Sequence, residues 1–153
     1  MLLIRQKDQW HKLQTDPDAY LPVLVEEVLR LEGPVQGLFR ETVVDVELHG
    51  VIIPAGSIVN IRYAAANLDN ETFDCPLDMD LDRENVRQHL AFGFGTHHCM
   101  GAPLARRELH LSFKALVERI DDLWFIEGAN DFSHHPNFCL RALRELHIGF
   151  TPK

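Results

Sequence analysis

Cysteine is scarce in this chain. Three residues in 153, at positions 75, 99 and 139, make an odd and scattered set. That excludes a disulfide framework and fits a reducing compartment. Basic charge is also short: 15 Lys and Arg stand against 23 Asp and Glu, a net charge of −8. Nucleic acid is therefore not expected as a general partner. No apolar run approaches the ~18 residues of a membrane span. The opening Met1-Leu2-Leu3-Ile4 is cut off by Arg5 and Lys7, too soon for a signal-peptide core. No repeat, low-complexity segment or linker marks a boundary. With 46% hydrophobic and 25% charged residues, the composition is that of a soluble, cytoplasmic domain long enough for one real core.

What is present begins with helical periodicity. Leu3, Trp10 and Leu13 are spaced for a helix over 2–14, and Thr15-Asp16-Pro17-Asp18 reads as turn and cap. Leu21, Leu24, Val25, Val28 and Leu31 form an i, i+3, i+4, i+7 stripe. They predict a second helix from about Leu21 to Glu32, with Pro22 in its first turn and Gly33-Pro34 ending it. Glu27 and Arg30 lie three apart beside that stripe. By spacing alone they read as an exposed helical ion pair of about 0.2–0.5 kcal/mol.

After Gly37 the period changes to two. Val44, Val46 and Leu48 alternate with acids, His49-Gly50 makes a hairpin turn, and Val51–Ile53 returns. Ser57–Ile61 extends what should be one small sheet of two or three strands. Ala64–Asn67 fits a helical turn. Asp78, Asp80 and Asp82 open like a calcium loop, but Arg83 stands where the turn needs glycine and His89 where it needs Glu. A long amphipathic helix should run from Ala105 through Ile120 to Asp121-Asp122. A short strand at Leu123–Ile126, a loop over 129–144 and a last strand through Leu146, Ile148 and Phe150 complete the chain.

The chemistry concentrates at Phe92-Gly93-Phe94-Gly95-Thr96-His97-His98-Cys99-Met100-Gly101. Glycines at 93, 95 and 101 permit positive φ and close approach of backbone to a flat ligand. The following helix directs its free N–H groups and positive end toward the loop, a setting that favours thiolate. A nucleophile would need a base, and His97 and His98 are too close in sequence to aim at the same atom. A structural zinc would need four ligands; His97 and Cys99 supply two, and Cys75, Cys139, His134 and His135 offer no convincing second pair. A free cysteine is the simpler alternative to both. Sole thiolate ligation of haem iron needs no second cysteine.

Taken together, Phe92-Gly93-x-Gly95-x-His97-x-Cys99-x-Gly101-x-x-Leu104-Ala105-Arg106, with Glu108, closely resembles the cysteine-ligand loop of the cytochrome P-450 superfamily, the haem-thiolate monooxygenases. Glu27-x-x-Arg30 resembles the family's second signature, and Arg83 the arginine completing its Glu–Arg–Arg network. The resemblance implies a mainly α fold with small β-sheets (α+β), with residues 1–153 as a single partial domain. It also implies haem b with Cys99 as axial ligand and a buried Glu27–Arg30–Arg83 network. His97, Arg40 and His89 would meet the haem propionates, Phe92 would pack near the sulfur, and Gly93 and Gly101 would make room. Val35, Gln36 and Phe138 resemble substrate-facing positions. Arg106 and Arg107 would help dock an acidic electron donor such as a ferredoxin. The activity implied is insertion of one atom of dioxygen into a small organic substrate, with electrons from NAD(P)H through redox partners.

The resemblance covers roughly the C-terminal third of the family's domain. Its long distal helix, carrying an acid–alcohol pair for proton delivery, should precede residue 1. The expectation is therefore a catalytic C-terminal part, with a truncated, non-catalytic remnant that binds haem weakly or not at all as the alternative.

Overall fold

Two short helices, α1 (Leu2–Arg5) and α2 (Lys7–Thr15), replace the single helix expected at the start of the computed structural model, which describes residues 1–153. Gln6 leaves the helical region between them, at φ −116° and ψ 75°. Its side-chain oxygen accepts the Met79 N–H instead, as that of Gln9 accepts the Leu81 N–H. Helix α3 (Pro17–Glu32) starts four residues before the apolar stripe does. Asp16 caps it by accepting the Ala19 N–H at 3.1 Å, and Pro17 presets the first helical φ. Pro22 therefore falls in the second turn, where it removes one intrahelical hydrogen bond.

The predicted single sheet is two separate antiparallel ribbons. Strand β1 (Leu38–Glu41) pairs with β4 (Ile58–Ile61), Leu38 opposite Ile61 and Glu41 opposite Ile58. Strand β2 (Val46–Leu48) pairs with β3 (Val51–Ile53). His49 at φ +48° and Gly50 at φ +78° form the tight turn between them. Leu38-Phe39-Arg40-Glu41 carries no apolar alternation, so β1 had no signal at period two. Helix α4 (Tyr63–Ala66) follows, then turns and a 3₁₀ segment at Val86–Gln88.

Helix α5 (Ala102–Arg119) passes directly into β5 (Ile120–Phe125), which pairs with β6 (Ile148–Pro152). The acids expected to end the helix, Asp121 and Asp122, thus lie in the strand beside a register shift. Between β5 and β6 the chain is irregular, held by bridges Val35–Leu140 and His134–Leu143. The result is the mainly α arrangement with small β-sheets. None of its helices is long and apolar enough to cross a membrane.

The core lies where α1, α2, α3, α5 and β5 meet. Leu3, Trp10, Leu13, Leu21, Leu24, Val117, Ile120 and Leu123 fill it, with Met79 and Leu81 inserted from the irregular segment. By contrast Leu38, Phe39, Leu48, Val51, Ile52 and Ile58 of the ribbons are exposed. The accessible surface, 9884 Å², exceeds the roughly 7,900 Å² expected of a compact monomer of this mass.

Trp10 is fully buried, and its indole N–H donates to the Asp121 carbonyl at 2.9 Å, tying α2 to β5. Trp10→Ala should lower the unfolding free energy by about 3–5 kcal/mol. Urea denaturation measures it; a loss under about 1 kcal/mol would show that this junction does not govern folding.

Candidate functional site: a cysteine loop over an apolar cavity

The loop before α5 is shaped by two glycines and one cross-loop hydrogen bond. Gly93 and Gly95 stand at φ +70° and +72°, a region that side-chain-bearing residues avoid. A 3₁₀ turn at Gly95–His97 follows, and the Cys99 N–H closes the loop on the Phe92 carbonyl at 2.9 Å. Gly101 differs from expectation: its φ is −80°, which any residue adopts. A Cβ there would lie 3.7 Å from the Cys99 sulfur, an ordinary van der Waals contact, so in this structure neither φ nor space demands glycine at 101. Pro103, in the first turn of α5, then starts the helix.

Cys99 and His97 face a cavity of about 740 Å³. Its walls are mostly apolar, with Leu29 from α3, Val35 and Leu38 before and within β1, Tyr63 from α4 and Leu109 from α5. Phe92 and Gly93 also line it; Arg40, Gln36, His89 and Phe138 do not. Arg40 donates to the Phe39 carbonyl. Gln36 ties chain segments together, donating to the Gly33 and Cys139 carbonyls. Phe138 stacks on Phe39, with ring centroids 5.9 Å apart. No three His, Cys, Asp or Glu side chains gather to hold a metal ion, so zinc would lack its ligand set. One cysteine sulfur in an apolar cavity bordered by glycine suits a flat metal macrocycle that takes a single protein ligand.

On α3, Glu27 and Arg30 are buried and form a two-point ion pair, at 2.6 and 3.0 Å. Arg30 also donates to the carbonyls of Asn67, Pro76 and Asp78. Glu27 accepts the Asp80 N–H at 2.8 Å. Arg83 brings its Nε within 3.0 Å of Glu27, at an angle too poor for a hydrogen bond. Its terminal nitrogens donate to Asp74 and Asp78 carbonyls. The faces of both guanidinium groups approach Phe73, at 5.0 and 5.9 Å. The three charges meet out of water, and the exposed-pair reading drawn from spacing alone fails.

A second carboxylate cluster had no sequence signal. Glu26, 3% exposed, receives Arg106 through Nε and a terminal nitrogen at 2.7 and 3.0 Å. His89 lies 2.9 Å from the same carboxylate through Nε2, and its Nδ1 accepts the Ala91 N–H. That assigns the proton to Nε2. Both ring nitrogens are thus occupied, which removes His89 from the set free to meet a propionate. Arg106 is likewise committed to Glu26, leaving Arg107 as the exposed member of the pair. Burial alone would raise the Glu26 pKa, but hydrogen bonds from His89 and Arg106 and the Arg106 charge hold it at about 2.

Because the Glu26 pKa is depressed, its contribution to stability is fully present above the ordinary value of 4.5. It is lost as pH falls toward about 2, a ceiling of about 3 kcal/mol. In urea titrations across this range, Glu26→Gln should flatten the acid loss; a decline parallel to the parent would remove Glu26 as its source. Glu27→Gln should cost about 3–5 kcal/mol at neutral pH, by leaving two buried guanidinium groups short of a counter-charge. A change below about 1 kcal/mol would mean that water screens the network.

A sequence profile of the cytochrome P450 family matches residues 5–121. A steroid C26-monooxygenase of Mycobacterium tuberculosis is 38% identical over 150 residues, 98% of this chain and 40% of that protein. Cytochrome P450 monooxygenase PikC of Streptomyces venezuelae is 40% identical over 147 residues, 95% of this chain and 35% of its own length. Among solved structures, substrate-free cytochrome P450 CYP150A6 of Mycobacterium marinum matches with a TM-score of 0.90 at 35% identity. That match covers 99% of this chain and 38% of the other. The chain thus spans about two fifths or less of each relative's length. Sequence profile, relatives and fold agree with the cysteine loop: the chain belongs to the cytochrome P450 family.

Proposed function

We propose that residues 1–153 form one partial domain, the haem-binding part of a haem-thiolate monooxygenase. The observation that carries this reading is Cys99, a single thiol beside His97 in an apolar cavity of about 740 Å³. Haem b, when bound, supplies dioxygen activation, so that one oxygen atom enters a small organic substrate. The electrons come from NAD(P)H through a ferredoxin-like donor.

The chain's own residues do the supporting work. Cys99 would hold the haem iron through its sulfur, and Gly101, beside that sulfur, would border the group. His97, which lines the cavity, and Arg40, which lies outside its lining, would offer donors to the haem carboxylates. Phe92 and Gly93 line the cavity and would border the macrocycle, limiting water near the sulfur. Val35 lines the same cavity and is the best placed of the substrate-facing candidates; Gln36 and Phe138 act through neighbouring segments. Arg107, exposed beyond the loop, offers positive charge to an acidic donor. A cytoplasmic location accords with three unpaired cysteines.

A second reading, a truncated, non-catalytic remnant that binds haem weakly or not at all, draws on the exposed apolar ribbons and the excess of accessible surface. The Cys99 side of the cavity is exposed, and an open face admits water where oxygen chemistry needs it excluded.

The haem-reconstituted chain, reduced and exposed to carbon monoxide, should show a thiolate-type Soret band that Cys99→Ala abolishes. A band of that type surviving the substitution would end the assignment. Given the band, oxidation of an organic substrate with an electron donor separates the two readings. Absence of any product places the chain with the remnant.

A further inference from the structure

Helix α3 sends two neighbouring carboxylates in different directions. Consecutive helical residues project about 100° apart, so Glu27 faces the segment carrying Arg83 while Glu26 faces α5 and the chain before the cysteine loop. The partners of Glu26 come from either side of Cys99 in sequence, His89 ten residues before it and Arg106 seven after. Both then converge on Phe92. The Arg106 guanidinium lies 4.7 Å from the ring centroid, and the His89 ring lies 6.2 Å away, tilted by 49°. Phe92 in turn accepts the Cys99 N–H through its carbonyl, at 2.9 Å. Glu26 does not line the cavity and reaches the sulfur's loop only through these neighbours.

We propose that Glu26, with His89 and Arg106, is a positioning device for the thiolate. The two-point carboxylate bond orients the guanidinium over Phe92, and the held Phe92 fixes the hydrogen bond that sets the Cys99 backbone. The role of the loop rests on the haem-thiolate reading; its support by Glu26 does not. A planar guanidinium carries out this task and an ammonium does not, because only the former binds a carboxylate at two points while covering a ring. The side chains of Glu26 and His89 are 4% and 1% exposed and that of Arg106 is 35% exposed, so the carboxylate is shielded while the guanidinium stays partly open to water.

The discriminating variant is Arg106→Lys, which keeps the charge and loses the plane; Glu26→Gln is its companion. In the haem-free chain, amide hydrogen exchange at Cys99 should accelerate about tenfold in both, while Leu123 and Trp124 in β5 keep parental rates. In the haem-loaded chain, the thiolate-type carbonyl band should lose amplitude to the non-thiolate form. Should Glu26→Gln fail to fold, Arg106→Lys decides alone. Parental exchange at Cys99 overturns the proposal, and so does an equal rise at Cys99 and in β5, which marks plain destabilisation. If the parent chain takes up no haem through Cys99, the haem reading fails, and the exchange rates still decide whether Glu26 holds the loop.

Discussion

A carboxylate removed from water costs several kcal/mol unless it is paired and hydrogen-bonded, and helix α3 removes two side by side. Glu26 and Glu27 are 3% and 0% exposed. Their compensation organises much of what surrounds them. Arg30 spends all five of its N–H donors, on Glu27 and three carbonyls. In doing so it fixes irregular chain between Asn67 and Asp78 that has little secondary structure of its own. Arg106 and His89 do the equivalent for Glu26 at the loop. Neither cluster is replaceable one member at a time, because a single loss leaves buried charge uncompensated.

The same helix is therefore both core element and bracket for the site. Leu21 and Leu24 belong to the packed core, and Leu29 lines the cavity. The backbone of the cysteine loop carries few hydrogen bonds, and its glycines confer freedom that something else must restrict. Phe92 meets that need between Arg106 and two histidine rings. The cavity is open on the Cys99 side, and the chain spans about two fifths of its relatives' length. The ribbons β1–β4 and β2–β3 are likewise exposed, and two-stranded ribbons without a covered face are marginal alone.

Much of the fold was readable because apolar spacing is a strong local signal. The α3 stripe, the His49-Gly50 turn and the amphipathic run of α5 all took the element types expected of them. The misses have specific causes. Asp16 and Pro17 start α3 before its apolar residues begin, so capping overrode periodicity. Strand β1 pairs through its backbone, with exposed side chains, and carries no alternation. Strand β5 takes up Asp121 and Asp122 because pairing with β6 outweighs their turn preference. At the site, the spacing of Phe92, glycines and Cys99 marked the loop, whereas Glu26 looked like any helical acid.

What the sequence by itself determined is local: where helices can form, which glycines permit positive φ, and which cysteine stands in a glycine-rich loop before a helix. Those follow from steric and hydrogen-bonding rules acting over a few residues. Only the tertiary structure decided which charges are buried together. Arg106 is 80 residues from Glu26 and His89 is 63, and no local pattern connects them. Burial converts each pair from a screened surface contact into a constraint. It does so because the surrounding low-dielectric packing leaves these groups no alternative partner.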